Sequence, residues 1–504
     1  MRSKKALYNI MSNLVLQGVI ILYGFVVPKI IIEFFGSDIN GLISSVTQFL
    51  AYITLLESGF GPVVKATLYK PIAKKDMNTI ASILKTSEKF FRRIALIFVL
   101  YIIILCFIFP LIAKADFDAI FTVSLVIIIG ISTFAEYYFG MTYRIFLQAK
   151  QKTYIISIIQ TITYVLSTIV VAIMAFSGCS VLMIKLISGL IFIARPLMQN
   201  VYVKKKYKIN LLTASDNYPI RQKWDGLAQH IAAVIHNNTD VTVLTFFTNL
   251  AEVSVYSVYY LVVSSVKRVV QSLVIGVDAS FGDMIAKKEE ENLRMKFSSY
   301  ELIFLILISI VFSCVFLLIT PFVQLYTKGV TDADYIRPLF GYLIVASEFL
   351  WAMRAPYSSL TLAAGHFKQT RKGAWIEAAV NIVLSVLLVF NYGLIGVAIG
   401  TIVAMLIRTV EFVYHANKYI LKRSVWASVG KIMVATITSL ATIIIIHFMH
   451  LAVPSEYMTW IINALIVLFI SSIVAFVLFL VCYKKELIRI LKRIKKMLSI
   501  KRKA

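Results

Sequence analysis

The sequence predicts an all-α polytopic membrane protein of about fourteen transmembrane helices. They form two parallel six-helix lobes plus two C-terminal helices, with both termini cytoplasmic. Three observations carry this prediction. Of 504 residues, 60% are hydrophobic and 15% charged, with a mean hydropathy of +0.85, whereas soluble domains are nearer half apolar and a quarter charged. Apolar runs of membrane-crossing length recur along the whole chain. Lysine and arginine collect in alternate connections.

The apolar runs fall near 7–34, 41–69, 91–113, 119–144, 153–177, 179–202, 224–248, 253–284, 298–325, 336–364, 373–392, 394–417, 427–449 and 458–482. Each is long enough to cross a hydrocarbon core of ~30 Å. The first follows a basic start, MRSKK, but continues to Ile32 without a small-residue cleavage site, so it reads as a spanning helix. The splits at "SGCS" and "NYGLIG" rest on Gly-containing turns. Basic residues are retained on the cytoplasmic side. One set of alternate connections, with the tail, holds 41 of the 51 Lys and Arg, and the other holds only Lys114, Lys328 and Arg337. That sidedness places both termini in the cytoplasm.

The +26 net charge therefore reports orientation, and nucleic acid is not an expected partner. In the tail after Tyr483, Leu487, Leu491, Ile494 and Leu498 share a helical face amid ten basic residues, which suits an anionic leaflet. Cys106, Cys179, Cys314 and Cys482 lie far apart in apolar runs, which excludes a CxxC site and gives no reason to expect a disulfide framework. No metal ligand set, P-loop, HExxH or catalytic triad is present, so no catalytic residue and no cofactor is expected.

A second regularity is internal. Ile-Ala-Lys-Lys occurs at 72–75 and again at 285–288, and other pairs keep nearly the same offset: Arg195 and Arg408, Glu136 and Glu348, Tyr202 and Tyr414, Tyr207 and Tyr419. The chain thus divides into an N-terminal six-helix lobe (1–203), a cytoplasmic inter-lobe loop (204–223) and a C-terminal six-helix lobe (224–423). Two extra helices (424–483) and a basic amphipathic tail (484–504) follow. Six being even, the copies keep one orientation about an axis along the membrane normal. Two such lobes are expected to enclose a cavity and to work by alternating access.

Charges within spans are costly, so they face a cavity or a partner. Lys29, Lys267, Arg268 and Arg354 form the candidate cationic site. Arg195 and Arg408, near span ends, are expected to snorkel or to form ion pairs. Glu57, Asp240, Glu348 and His236 are candidates for proton or Na⁺ coupling. In "WDGLAQHIAAVIHNNTDVTVLTFF" (224–247), Asp225, Gln229, His236 and Asp240 share a helical face. That stripe either bonds across helices or lines a cavity.

The stretch "FFGSDINGLISSVTQFLAYITLLESGFGPVVKATLYKPIAKKD" (34–76) resembles the first-to-second helix signature of bacterial polysaccharide flippases. These belong to the multidrug/oligosaccharidyl-lipid/polysaccharide exporter superfamily. "NNTDVTVLTFFTNLAEVSVYSVYYLV" (237–262) and "NYGLIGVAIGT" (391–401) are similar to later stretches of that family. The resemblance implies two six-helix lobes in the bacterial cytoplasmic membrane and transport of a polyprenyl-diphosphate-linked oligosaccharide between leaflets, beside polysaccharide polymerase machinery. Lys or Arg in a sheltered cavity would hold the diphosphate, and an ion gradient or membrane potential would supply the energy. A multidrug exporter of the same superfamily is the alternative, but it should prefer an acidic or aromatic cavity. A non-transporting envelope-assembly scaffold is a third reading.

Overall fold

A computed structural model describes residues 2–57, 59–113, 117–207, 227–451 and 453–501, together with 209, 214, 215, 218 and 219. The side chains of 1–7, 221–229, 273, 275, 276, 278, 279, 491 and 493–501 lie outside this description, and with them the predictions for Asp225, Gln229 and the end of the tail. The described residues are helical nearly throughout, as a chain in hydrocarbon requires, because helices satisfy every backbone group within the segment.

The first segments are α1 (Arg2–Phe35), α2 (Ser37–Ala51), α3 (Thr54–Glu57), α4 (Phe60–Lys74), α5 (Met77–Ile112) and α6 (Ala119–Ala135). A π-helical turn, Glu136–Gly140, joins α6 to α7 (Met141–Ala149). Then come α8 (Thr153–Phe176), α9 (Val181–Tyr207), α10 (Leu227–Phe247), α11 (Leu250–Ala286), α12 (Glu290–Tyr326) and α13 (Pro338–Ala363). Last are α14 (Arg371–His415), a second π-helical turn (Ala416–Ile420), α15 (Trp426–Phe448) and α16 (Tyr457–Lys501). The described residues of the fourteen apolar runs are mainly helical, with a break at 52–53 and Gly59 in the second. Among the described residues, eleven helical segments are long and apolar enough to cross a membrane. Large side chains such as Phe107, Leu111, Ile120 and Phe469 stand exposed on them, a surface that lipid, not water, tolerates. This is a multi-pass membrane protein.

Within α14, Gly393 (φ 51°, ψ −127°) reverses the chain. The arms before and after it run antiparallel: Asn381 Nδ2 donates to Thr401 Oγ1 at 2.9 Å and Ser385 Oγ to the Val397 carbonyl at 3.5 Å. Gly400 permits this approach, since a Cβ there would stand 2.8 Å from the Ser385 amide.

The sequence repeat has a backbone counterpart. Lys75 (φ 55°) and Lys288 (φ 58°), the last lysines of the two Ile-Ala-Lys-Lys runs, are both left-handed. Each closes its helix with the same pair of bonds, Lys75 N to Ile72 O (3.3 Å) and Asp76 N to Pro71 O (3.0 Å), then Lys288 N to Ile285 O (3.1 Å) and Glu289 N to Met284 O (3.0 Å). This is the Schellman termination, which normally selects glycine. Gln151 and Gly365 repeat the pattern 214 residues apart, and Gly178 and Gly393 place left-handed residues 215 apart. Three turns thus recur at nearly one offset in the same order.

By internal contacts the chain divides into two units. Unit 1 is Met1–Ser257 with Gly329–Ala333, and unit 2 is Val258–Lys328 with Asp334–Ala504. This contact boundary lies beyond the inter-lobe loop (204–223) expected from the sequence. It falls inside α11 because α10 binds α2 through uncharged polar groups. Ser45 Oγ meets Thr245 Oγ1 at 2.7 Å, the Tyr52 hydroxyl meets Thr242 Oγ1 at 2.9 Å, and Asn40 Nδ2 donates to Ser254 Oγ at 2.7 Å. Asp332 accepts from the Ser37 amide at 2.6 Å and its hydroxyl at 2.7 Å, at the N-terminus of α2, where a carboxylate complements the free amides. The core of this unit centres on Phe49, Phe91, Phe98 and Phe109, with Phe49 and Phe109 edge to face at 5.2 Å.

In unit 2 a core of Phe281, Phe297, Tyr357 and Phe412 lies beside a buried carboxylate. Glu301 is 0% exposed. It accepts from Arg423 Nη2 at 2.8 and 2.9 Å, Lys431 Nζ at 3.0 Å and the Tyr357 hydroxyl at 2.7 Å, and also bonds Ser428. Lys431 continues to Glu486 at 3.1 Å, so one network ties α12, α13, α15 and α16. Removing one member of such a group strands the opposite charges, at about 3–5 kcal/mol. Glu301→Ala is therefore expected to lower the unfolding free energy of the detergent-solubilised protein by about that amount. A loss under about 1 kcal/mol, the size expected of an exposed pair, would show that the network does not hold these helices together.

Candidate functional site

Intramembrane charges were expected to meet partners or a cavity, and in unit 2 they meet each other. Lys267 on α11 reaches Glu348 on α13 at 3.1 Å, with side chains only 12% and 7% exposed. The Lys267 ammonium also stands 4.7 Å from the ring centre of Trp351, one turn beyond Glu348, a cation–π contact. Glu348 Oε2 is buried and makes no hydrogen bond among the described residues.

One turn further along α13 from Trp351, Arg354 donates to Glu377 at 2.5 Å. Glu377 lies on the first arm of α14 and also holds Arg408 Nε of the second arm at 3.3 Å. Arg408 in turn bonds Glu411 and the Thr370 carbonyl, the latter at 2.9 Å, and stacks 4.1 Å from the Phe412 ring centre. Lys267, Arg354 and Arg408 thus face Glu348, Glu377 and Glu411, a set whose formal charges cancel. In a medium of low dielectric that cancellation is what makes the burial tolerable.

The other predicted residues are placed as follows. Lys29 on α1 pairs with Glu33 one turn on, at 2.8 Å. Arg268 follows Lys267 in sequence but points about 100° around the helix; it is exposed, and no ion pair is formed by it among the described residues. On α10, His236 and Asp240 are buried, and Asp240 Oδ2 accepts from the Tyr256 hydroxyl at 3.0 Å. Glu57 ends α3 and accepts from the Tyr137 hydroxyl at 3.1 Å. Arg195 is held by Thr163 Oγ1 at 2.6 Å and lies 4.0 Å from the ring centres of both Tyr164 and Phe192, so aromatic faces and a hydroxyl serve it in place of an acid.

The structure therefore gathers Lys267, Arg354 and Glu348 into one cluster and leaves Arg268 outside it. Lys29, Glu57, His236 and Asp240 belong to unit 1. Sequence reasoning did not single out Glu33, Trp351 or Glu301. The Lys29/Glu33 spacing of one helical turn and an acid within the apolar run at 301 were the available signals.

The Lys267–Glu348 pair yields a test of direct coupling. Lys267→Ala and Glu348→Ala each strand a buried charge, so each is expected to cost about 3–5 kcal/mol, while the double variant costs clearly less than their sum. Thermal or SDS unfolding of the four proteins measures this. Additive losses would mean the two side chains do not compensate one another.

No protein-family model matches the chain, and no curated protein matches it in sequence. Solved structures match it in fold. A lipid II flippase MurJ in an inward closed conformation aligns with 94% of this chain and 99% of its own, at a TM-score of 0.66 and 15% identity. An inward-facing multidrug resistance MATE family transporter of the MOP superfamily aligns with 80% of this chain and 95% of its own, at a TM-score of 0.60 and 12% identity. A MOP superfamily transporter from Pyrococcus furiosus covers 84% of this chain and 97% of its own, at 0.57 and 12%. At such identities the likeness is one of fold, and the chain has the all-helical transporter fold seen in MurJ and the MATE family.

Proposed function

We propose that the protein is a flippase that carries a polyprenyl-diphosphate-linked oligosaccharide across the bacterial cytoplasmic membrane by alternating access. The observation that carries this reading is the Lys267–Glu348 ion pair at 3.1 Å. It joins a predicted substrate cation to a predicted coupling carboxylate. While Glu348 is ionised, Lys267 is neutralised and a diphosphate would have to displace a carboxylate. Protonation of Glu348 removes that competitor and frees the ammonium for an anion. Arg354 and Glu377, paired at 2.5 Å, repeat the arrangement one step along the chain of charges. Arg268, exposed and without a carboxylate partner among the described residues, needs no such release and serves as the first anchor.

The similarity of fold to a lipid II flippase supports the reading, as does the resemblance to polysaccharide flippases. The fold is equally that of MATE transporters, so a multidrug exporter is the second reading. Of the three cationic side chains, Lys267 and Arg354 are neutralised by Glu348 and Glu377, and it is the exposed Arg268 that tells against a site for cationic drugs. The basic tail on an anionic leaflet and neighbouring polymerase machinery complete the proposal.

Two outcomes are expected in proteoliposomes containing a lipid-linked oligosaccharide. Arg268→Ala lowers the translocation rate about tenfold or more, because a charge-assisted hydrogen bond to an anion is lost, and Arg268→Lys recovers part of it. Glu348→Gln abolishes the dependence of the rate on an imposed pH gradient. Full transport by Arg268→Ala would remove that residue from the site, and extrusion of cationic dyes in place of lipid-linked sugar would favour the exporter reading.

A further inference from the structure

The second apolar segment of unit 1 is broken where most spanning helices are continuous. Between α2 and α4 the chain passes through turns at Tyr52–Ile53 and a left-handed Gly59 (φ 78°), leaving α3 as a single turn, Thr54–Glu57. Across from it, the fourth segment takes its π-helical turn at Glu136–Gly140. The two irregularities touch, for Tyr137 within the π turn donates to Glu57 at 3.1 Å. Interruptions of this kind persist in a membrane where they line a cavity, and π turns gather at functional sites.

A cavity of about 660 Å³ lies there, lined entirely by unit 1. Its charged residues are Glu57, Lys65, Glu136 and Arg144, with Thr133 and Gln148 among its uncharged polar ones. Arg144 is bonded to Glu136, and Glu57 is the hydrogen-bond acceptor of Tyr137. The formal charges cancel. A diphosphate would meet two carboxylates here, and an organic cation would meet Lys65 and Arg144. A neutral ligand rich in hydroxyls meets neither penalty, and each of its hydroxyls can both donate to a carboxylate and accept from a cation or amide. Apolar side chains, including Leu50, Ile129 and Ile145, supply surface for its C–H faces. The volume falls within the ~300–1,000 Å³ range of small-molecule sites.

We infer that this cavity is a recognition site for an uncharged saccharide, holding the sugar end of the transported molecule by Glu57, Lys65, Glu136 and Arg144. The inference rests on the flippase reading, and it gives Glu57 a role in sugar recognition in place of ion coupling.

The test crosses variant with substrate in proteoliposomes of the full-length protein. The donors are a polyprenyl diphosphate carrying an uncharged trisaccharide and the same lipid diphosphate carrying no sugar. Glu57→Gln and Arg144→Gln are each expected to slow the trisaccharide donor about tenfold more than the sugar-free donor, the worth of one hydrogen bond to a charged group. Equal slowing of both donors by variants that remain monodisperse on gel filtration would overturn the inference and indicate a coupling or structural role. An independent arm uses calorimetry with free neutral trisaccharides built from glucose, galactose and N-acetylglucosamine, and with ethidium. Binding of at least one trisaccharide by the wild type, weakened about tenfold in Glu57→Gln, is expected. Ethidium binding alone, or no saccharide bound, would overturn it. Sugar binding without movement of either lipid donor would instead defeat the flippase reading and leave the saccharide site standing.

Discussion

Glu377 stands between two arginines, Arg354 at 2.5 Å and Arg408 at 3.3 Å, and the packing of unit 2 turns on what that carboxylate does. It sits on one arm of α14, Arg408 on the other, and Arg354 on α13. A charge taken from water into hydrocarbon must meet its opposite, so these three segments are held at a common depth. Glu301 does the same for α12, α13, α15 and α16 with Arg423 and Lys431. Helices in a membrane gain little from hydrophobic burial against one another, since lipid is equally apolar. Paired charges supply the specificity that burial would supply in water.

Unit 1 solves the same problem with weaker bonds. Across the seam of α2 with α10 and the start of α11, serine, threonine, asparagine and tyrosine bond one another, and Asp332 joins them at one end. Gly41 brings α2 against the backbone at Leu250. Uncharged hydrogen bonds contribute roughly 0.6 kcal/mol each in membrane bundles, so such a seam exchanges far more readily than the ion pairs of unit 2. The backbone shows the same contrast. Schellman turns at Lys75, Gln151 and Gly178 end helices cleanly, while the breaks at 52–53 and Gly59 and the π turn at 136–140 interrupt them and open a cavity.

These two chemistries divide the work of the proposed transport. A chain of alternating charges responds to a proton, because protonating one carboxylate leaves its cation without a partner. A cavity whose charges cancel responds to hydroxyl groups. An amphiphile with an anionic diphosphate and a polar glycan presents both features, which a cationic drug does not.

The apolar runs and their helical character were legible in the sequence, because apolar run length is a local property and hydrocarbon leaves the backbone few alternatives to a helix. The Ile-Ala-Lys-Lys runs went further, since their second lysines proved to be equivalent left-handed caps. Lys267, Arg354, Arg408 and Glu348 were conspicuous as charges within apolar runs, whereas Glu301, an acid in just such a run, was not singled out. The pairings were not legible. Lys267 with Glu348, Arg354 with Glu377, and Tyr137 with Glu57 are 81, 23 and 80 residues apart, and no periodicity links such distances. Nor could spacing show that α10 would turn its polar groups to α2, or that a break at Gly59 would face a π turn at Glu136. Composition and periodicity decided which residues leave water; only the tertiary packing decided which opposite charge or hydroxyl each would meet there, because that depends on distance in space and not along the chain.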